Sequence, residues 1–259
     1  MTLLHLDDVH VTYKLPGRGS LNAVDGVSFD LEPRQVLGLV GESGCGKSTL
    51  ARAVCGLEPT SGGAITFNGT PIGKLGLRKR APELLRIQMV FQNPYASLNP
   101  RRTIGSQIED GLRVNPVRDA WDVGQLLEHV ELDAASRTRY PHQFSGGQRQ
   151  RIAIARAIAA GPELLIGDEP IASLDASLQA RVAKLMRKLA VETGAALLFI
   201  SHDLSVVRVI ADDVAVMSAG RIVEHGPVDR VWSDPQDAYT QRLLAAIPVV
   251  DGLGTLPGA

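Results

Sequence analysis

Gly41-Glu42-Ser43-Gly44-Cys45-Gly46-Lys47-Ser48-Thr49, preceded by the apolar run Val36-Leu37-Gly38-Leu39-Val40 and followed by Leu50-Ala51-Arg52-Ala53-Val54, decides the fold. The order is buried strand, glycine-rich loop, helix. Gly41 and Gly46 frame four residues and Lys47-Ser48 follow. This spacing matches G-x-x-x-x-G-K-[ST], whose glycines let backbone N–H groups curl around phosphate oxygens. A helix starting at Lys47 would aim its positive N-terminal end at the same place. Lys47 is expected to reach the β and γ phosphates as a point charge. Ser48 is expected to offer its hydroxyl to Mg²⁺, which takes oxygen ligands alongside phosphates.

The bulk of the chain suits a folded, cytosolic protein. Its 259 residues are 44% hydrophobic, enough for a real core in one large domain or two small ones. With 27 Lys+Arg against 28 Asp+Glu the net charge is −1, so no global field gathers nucleic acid, and none is expected as a partner. No apolar stretch has the length of a membrane span, and Asp7 and Asp8 stand where a signal peptide would carry positive charge and an apolar core. Docking on a membrane protein remains compatible with this. Cys45 lies in the loop and Cys55 in the following helix, too far apart along a rigid element to bridge, and neither has ligand-like neighbours.

Outward from the loop, Leu3 to Tyr13 and Asn22 to Leu31 alternate apolar and polar residues around Pro16-Gly17-Arg18-Gly19-Ser20, as an antiparallel pair would. The loop helix runs to about Leu57. Ile65-Thr66-Phe67-Asn68-Gly69 carries a strong hairpin signal in Asn-Gly. Arg86 to Phe91 reads as a buried strand. From there to Pro162 the pattern is helical, in Ile104 to Leu112, Val123 to Val130 and Gln148 to Ala160. Leu164 to Glu169 resumes the strands, a helix follows Asp175 and stops at Gly194, and Leu197 to Ile200 completes a βαβ crossover. Val214 to Met217 and Arg221 to Glu224 predict a closing hairpin around Ala219-Gly220, and Tyr239 to Ala246 a short amphipathic segment before a Gly-Leu-Gly-Thr-Leu-Pro-Gly-Ala end.

Two further motifs narrow the chemistry. Asp168 ends an apolar strand, where it would hold Mg²⁺ through water, and Glu169 beside it can polarise an attacking water. Phe144-Ser145-Gly146-Gly147-Gln148-Arg149-Gln150-Arg151 opens a long helix with backbone amides, a hydroxyl and a helix N-terminus, which makes a second anion site. One triphosphate needs one such cradle. The second can serve the nucleotide of another chain, which implies a head-to-tail pair with two ATP molecules sandwiched between phosphate loop and partner.

These motifs together resemble the ATPase subunit of an ABC transporter. The stretches Gly38 to Thr49, Phe91-Gln92-Asn93-Pro94-Tyr95-Ala96-Ser97-Leu98-Asn99-Pro100-Arg101, Tyr140 to Arg151, and Tyr239-Thr240-Gln241 to Ala246-Ile247-Pro248 are similar to the oligopeptide and dipeptide importer ATPases, a group that includes nickel-type importers. The resemblance implies an α/β P-loop NTPase with a RecA-like mixed-sheet core, an N-terminal antiparallel β subdomain and a helical insert at about 93–163. The nucleotide-binding domain would span 1–235 and a tail 236–259. By position, Tyr13 resembles the aromatic that stacks on adenine. Gly41, Ser43, Gly44, Cys45, Gly46, Lys47, Ser48 and Thr49 resemble the Walker A loop. Gln92 resembles the Q-loop glutamine, which also reaches the metal with Ser48 and Asp168. Ser145, Gly146, Gly147 and Gln148 resemble the signature, Ser173-Leu174-Asp175 the D-loop, and His202 the switch histidine. Lys47, Glu169 and His202 are the catalytic candidates.

Three departures from that group stand out: Arg34 replaces a turn glycine, with local strain expected; Ser173 replaces Ala; and the Cys-bearing C-terminal extension is absent, so no iron–sulfur cluster is expected. The resemblance further implies two transmembrane permease subunits, a second ATPase that is either non-identical or another copy of this chain, an extracytoplasmic solute-binding protein acting indirectly, and a place at the cytoplasmic face of the inner membrane. Peptide import is the reading, with nickel or a metal chelate as alternative cargo. A soluble ABC protein of translation, repair or assembly would be expected to carry two cassettes or a long coiled-coil insert.

Overall fold

The computed structural model describes residues 2–15, 17, 19–76, 80–93, 97–115, 121–172 and 174–247. Pro16, Arg18, Pro94-Tyr95-Ala96, Ser173 and the end from Pro248 onward, all singled out in the sequence, lie outside the described residues.

Among the described residues, ten strands form two sheets. β1 (Leu4–Leu15) and β2 (Gly19–Leu31) pair antiparallel, and with β4 (Gly62–Phe67) and β5 (Thr70–Pro71) they make a four-stranded sheet ordered β2-β1-β4-β5. Asn68 and Gly69 turn β4 into β5 with φ of 49° and 72°, the left-handed pair that the Asn-Gly signal demands. The second sheet contains β3 (Val36–Val40), β6 (Ile87–Val90), β7 (Leu164–Asp168), β8 (Ala196–Ile200), β9 (Asp213–Ser218) and β10 (Arg221–Pro227). Its order is β10-β9-β3-β8-β7-β6, parallel throughout except for the antiparallel edge β10.

The strand period of two sorts the parallel strands onto two cores. Val36 and Val40 of β3 face one apolar cluster with Leu165, Leu197, Phe199, Val214 and Val216, under the helices. Leu37 and Leu39 face the other with Leu164, Ile166, Leu198 and Met217, toward the antiparallel sheet and α1 (Lys47–Val54). Such strands are buried on both faces, which is why they read as continuous apolar runs. Gly38 is small for a packing reason: a Cβ there would lie 2.3 Å from Val207 Cγ1.

The helical segments are α2 (Ile104–Val114), α3 (Val123–His129) and α4 (Gly146–Ala159), close to the periods read in the sequence. α5 (Ala176–Thr193) ends at Gly194 with φ 74°, the expected left-handed stop. The sequence reading missed α6 (Leu204–Ile210), capped by Asp203, and α7 (Val228–Ser233). α8 (Ala238–Ala245) is the amphipathic segment near the C-terminus, and Tyr239, Leu243 and Leu244 pack it against the helix-side core. Arg34 adopts φ 66°, so the expected strain at that turn is present. Cys45 and Cys55 are both buried free thiols, and burial pushes the Cys55 thiol up to about 12, which leaves it inert.

Candidate functional site

The site lies where β3, β7 and β8 end, at the carboxyl edge of the parallel sheet, the place where open α/β sheets collect ligands. Val40 leads into the phosphate loop, Asp168 closes β7, and Ile200 leads into Ser201-His202. Gly41 and Gly46 have φ of 151° and 113°, and a Cβ on either would strike a carbonyl, Met217 O at 2.1 Å or Ala23 O at 2.0 Å. Only glycine lets the loop sit this close to its neighbours.

Lys47 is 3% exposed, and its ammonium donates to Gly41 O and Glu42 O, both at 2.8 Å. A buried cation is costly unless such acceptors surround it. Ser48 Oγ donates to Asp168 Oδ1 at 2.6 Å, tying α1 to the end of β7. Burial pushes the Asp168 carboxyl above its usual range, against the Ser48 hydrogen bond and the charge of Arg52. The neighbouring carboxylate of Glu169 lies 3.3 Å from His202 Nδ1. Glu169 has φ 46° and its N–H donates to Ile200 O at 3.0 Å. A non-glycine residue in that region costs about 1–3 kcal/mol. The turn ends the strand there and leaves the carboxylate beside His202 rather than continuing the ladder.

Ser145 is the N-cap of α4, and a reciprocal capping box joins it to Gln148: Gln148 N–H donates to Ser145 Oγ at 3.3 Å, and Ser145 N–H to Gln148 Oε1 at 2.9 Å. Gly147 is packed so closely that a Cβ would meet Leu178 Cδ2 at 2.3 Å, whereas a Cβ on Gly146 would meet nothing within 4 Å among the described residues. Arg149 clamps the turn by donating twice to Phe144 O, at 2.8 and 2.6 Å.

The structure thus brings Lys47, Ser48, Asp168, Glu169 and His202 together, while no hydrogen bond or ion pair among the described residues joins Ser145–Gln148 to Gly41–Thr49. Tyr13 is half-buried against the apolar cluster that includes Cys45. Gln92 stands exposed just past β6, with no hydrogen bond to Ser48 or Asp168 among the described residues. Asp175 caps α5 by accepting from Leu178 N–H at 3.0 Å. Two contacts escaped the sequence reading. Gln150, fully buried, reaches Phe91 O at 3.4 Å, and the Tyr239 hydroxyl accepts from Glu42 N–H at 3.0 Å. The first had a signal in the run Gln148-Arg149-Gln150-Arg151; the second spans the chain and had none.

Known proteins resemble this chain. The chain is 48% identical over 240 residues to the oligopeptide transport ATP-binding protein OppF of Bacillus subtilis, covering 90% of this chain and 79% of that one. It is 47% identical over 232 residues to the dipeptide transport ATP-binding protein DppF of Haemophilus influenzae, covering 88% and 71%. The glutathione import ATP-binding protein GsiA of Escherichia coli is 50% identical over 235 residues, 89% of this chain but 38% of that longer protein. Among solved structures, the dimeric ATP-binding cassette MJ0796 in a post-hydrolysis state bound to ADP and Pi superposes with TM-score 0.73 and 26% identity, over 87% of this chain and 99% of that one. The family profile described as ABC transporter matches residues 24–172, more than half of the chain and the whole path from phosphate loop to acid pair. The chain therefore belongs to the ABC transporter ATP-binding family, as an ATP-binding ATPase of the P-loop fold.

Proposed function

We propose that this chain is the ATP-hydrolysing subunit of an importer for small peptides, at the cytoplasmic face of the membrane, working with two permease subunits and a second ATPase. The observation that carries the pairing is the open side of Gly146: the described residues place nothing within 4 Å of a Cβ built on it, yet the residue is a glycine at the mouth of a helix N-terminus. A backbone left bare toward the outside suits an anion delivered by another subunit. The second ATPase is a non-identical relative or a second copy. No helix among the described residues is long and apolar enough to cross a membrane.

In this reading Lys47 holds the β and γ phosphates, the loop N–H groups from Ser43 to Thr49 cradle them, and Tyr13 stacks on adenine. The Ser48 hydroxyl and Asp168 carboxylate, already 2.6 Å apart, are the hard oxygen donors that suit Mg²⁺, with Gln92 as a further donor. When bound, Mg²⁺ would neutralise charge on the phosphate oxygens. Glu169 takes the proton of the attacking water, and His202 holds that carboxylate in place. Ser145, Gly146, Gly147 and Gln148 of one subunit, with Asp175 near the shared boundary, face the γ-phosphate held by the other.

The names of the relatives support peptide over nickel as cargo. The glutathione relative favours a second reading within the same class, since glutathione is itself a tripeptide. Reconstitution in vesicles with the permeases and binding protein tests both. Dipeptide- or oligopeptide-loaded binding protein should stimulate ATP hydrolysis, and Glu169→Gln should hold ATP while losing about 10²- to 10⁴-fold in turnover. Stimulation by nickel alone, or normal turnover in Glu169→Gln, would overturn the reading.

A further inference from the structure

The Tyr239 hydroxyl and the Lys47 ammonium hold opposite ends of one peptide unit. The amide between Gly41 and Glu42 gives its carbonyl to Lys47 Nζ at 2.8 Å and its N–H to the Tyr239 hydroxyl at 3.0 Å. Hydrogen bonds at both ends of an amide polarise each other, and the plane cannot rotate without breaking both. On one side Gly41 is already pressed against Met217 O. On the other the hydroxyl of Tyr239 is what the structure supplies.

That hydroxyl is itself held from a distance. Asp237 caps α8 by accepting from Tyr239 N–H at 2.7 Å and Thr240 N–H at 3.4 Å. The Glu224 carboxylate on β10 accepts from Gln236 N–H at 2.9 Å and Asp237 N–H at 3.1 Å, fastening the start of the helix to the sheet edge. Thr240 is fully buried and Tyr239 is half-buried against the helix-side core. The strap therefore runs from β10 through α8 to the first peptide of the phosphate loop. A phenylalanine would fill the same packing space; only the hydroxyl reaches the amide.

We propose that Tyr239 is a positioning residue for Lys47: by fixing the Gly41–Glu42 peptide it aims the carbonyl that orients the ammonium, so that the C-terminal helix sets the ATP affinity of the site. The proposal rests on reading Gly41–Thr49 as the phosphate loop. Lys47 acts on bound phosphates before any chemistry, so loosening its support should appear in binding more than in turnover.

Full-length Tyr239→Phe should bind a fluorescent ATP analogue roughly threefold to tenfold more weakly, the scale of one hydrogen bond. Turnover of the assembled transporter at saturating ATP should stay within about twofold. Amide hydrogen exchange should quicken at Glu42 while Val36–Val40 and Ala238–Ala245 keep their protection. Glu224→Ala, which unfastens the helix, should weaken ATP binding comparably, and the double variant should be no worse than the weaker single one, because both act through one contact. Unchanged affinity in Tyr239→Phe, additive losses in the double variant, or protection lost across the whole of α8 and β3 in Tyr239→Phe would each overturn the proposal. Lys47→Ala separates the two levels. If it keeps normal ATP affinity, the phosphate-loop reading itself fails; if it loses affinity while Tyr239→Phe does not, only the positioning role fails.

Discussion

The molecule carries two glycine-rich helix starts, proposed above as cradles for anions, and they are built in opposite ways. The first, Gly41–Thr49, is closed down by its own chain: two glycines pressed against carbonyls, a lysine 3% exposed and held by loop oxygens, and a serine bonded to the acid of a different strand. The second, Ser145–Gln148, is an ordinary capping box at the start of α4, clamped from behind by Arg149 and packed at Gly147, but with no described residue standing before Gly146. A site finished by its own chain can bind alone. One finished on three sides needs an outside group to be of use, so the asymmetry separates what the isolated subunit does from what only the assembly does.

The sharpest way to break this contrast is to disable each cradle and ask where the loss appears. Lys47→Ala should cost about 10²- to 10⁴-fold in ATP affinity of the isolated chain, from charged hydrogen bonds to two phosphates, and turnover should fall with it. Ser145→Arg should leave that isolated affinity unchanged while costing the assembled transporter roughly 10²-fold or more in hydrolysis, as loss of a preorganised anion site does. Equilibrium titration with a fluorescent ATP analogue beside phosphate release in the full assembly reads both. A large affinity loss in isolated Ser145→Arg would place the second cradle in the same pocket as the first and end the comparison.

Stability measurements sharpen it further. Gly147→Ala pushes a methyl into Leu178 and should destabilise the isolated chain by about 1–3 kcal/mol, since overpacking a close contact forces side chains to shift. Gly146→Ala meets no neighbour among the described residues, and thermal or denaturant unfolding of the isolated chain should show no loss, while turnover of the assembly falls because the added methyl stands where the partner's phosphate is expected. Away from both cradles, Arg34→Gly relieves the φ of 66° ahead of β3 and should stabilise by less than about 1 kcal/mol, with ATP affinity unaltered.

Much of the first cradle was legible in the sequence because its parts sit within nine consecutive residues whose types are dictated by phosphate geometry. Ser145 and Gly146 were legible for the same reason, since a cap and a helix N-terminus are local features. Strands buried on both faces announced themselves as apolar runs. The helices α6 and α7, of seven and six residues, are too short for a 3.6-residue period to stand out, and they owe their existence to packing against the sheet. The contact between Tyr239 and Glu42 spans 197 positions and depends on how β10 and α8 are fastened, which no local pattern encodes. Nor did the sequence indicate that Lys47 turns back onto its own loop, because that depends on the loop being closed by Met217 and Ala23.

The place of β3 in the sheet has a consequence for synthesis on the ribosome. The strand that feeds the phosphate loop ends at Val40, but its two neighbours are β8, beginning at Ala196, and β9, beginning at Asp213. At translation rates of about 5–20 residues per second, the nascent strand waits on the order of ten seconds with both hydrogen-bonding edges unpaired. Val36-Leu37-Gly38-Leu39-Val40 is through that interval an apolar segment with no charge to interrupt it, the kind that chaperones hold and that associates with other chains when left uncovered. Slower elongation between Val40 and Ala196 should lengthen that exposure, whereas slower elongation before β3 or after the β9 codons should not, so the yield of soluble protein is set more by the middle of the message than by either end.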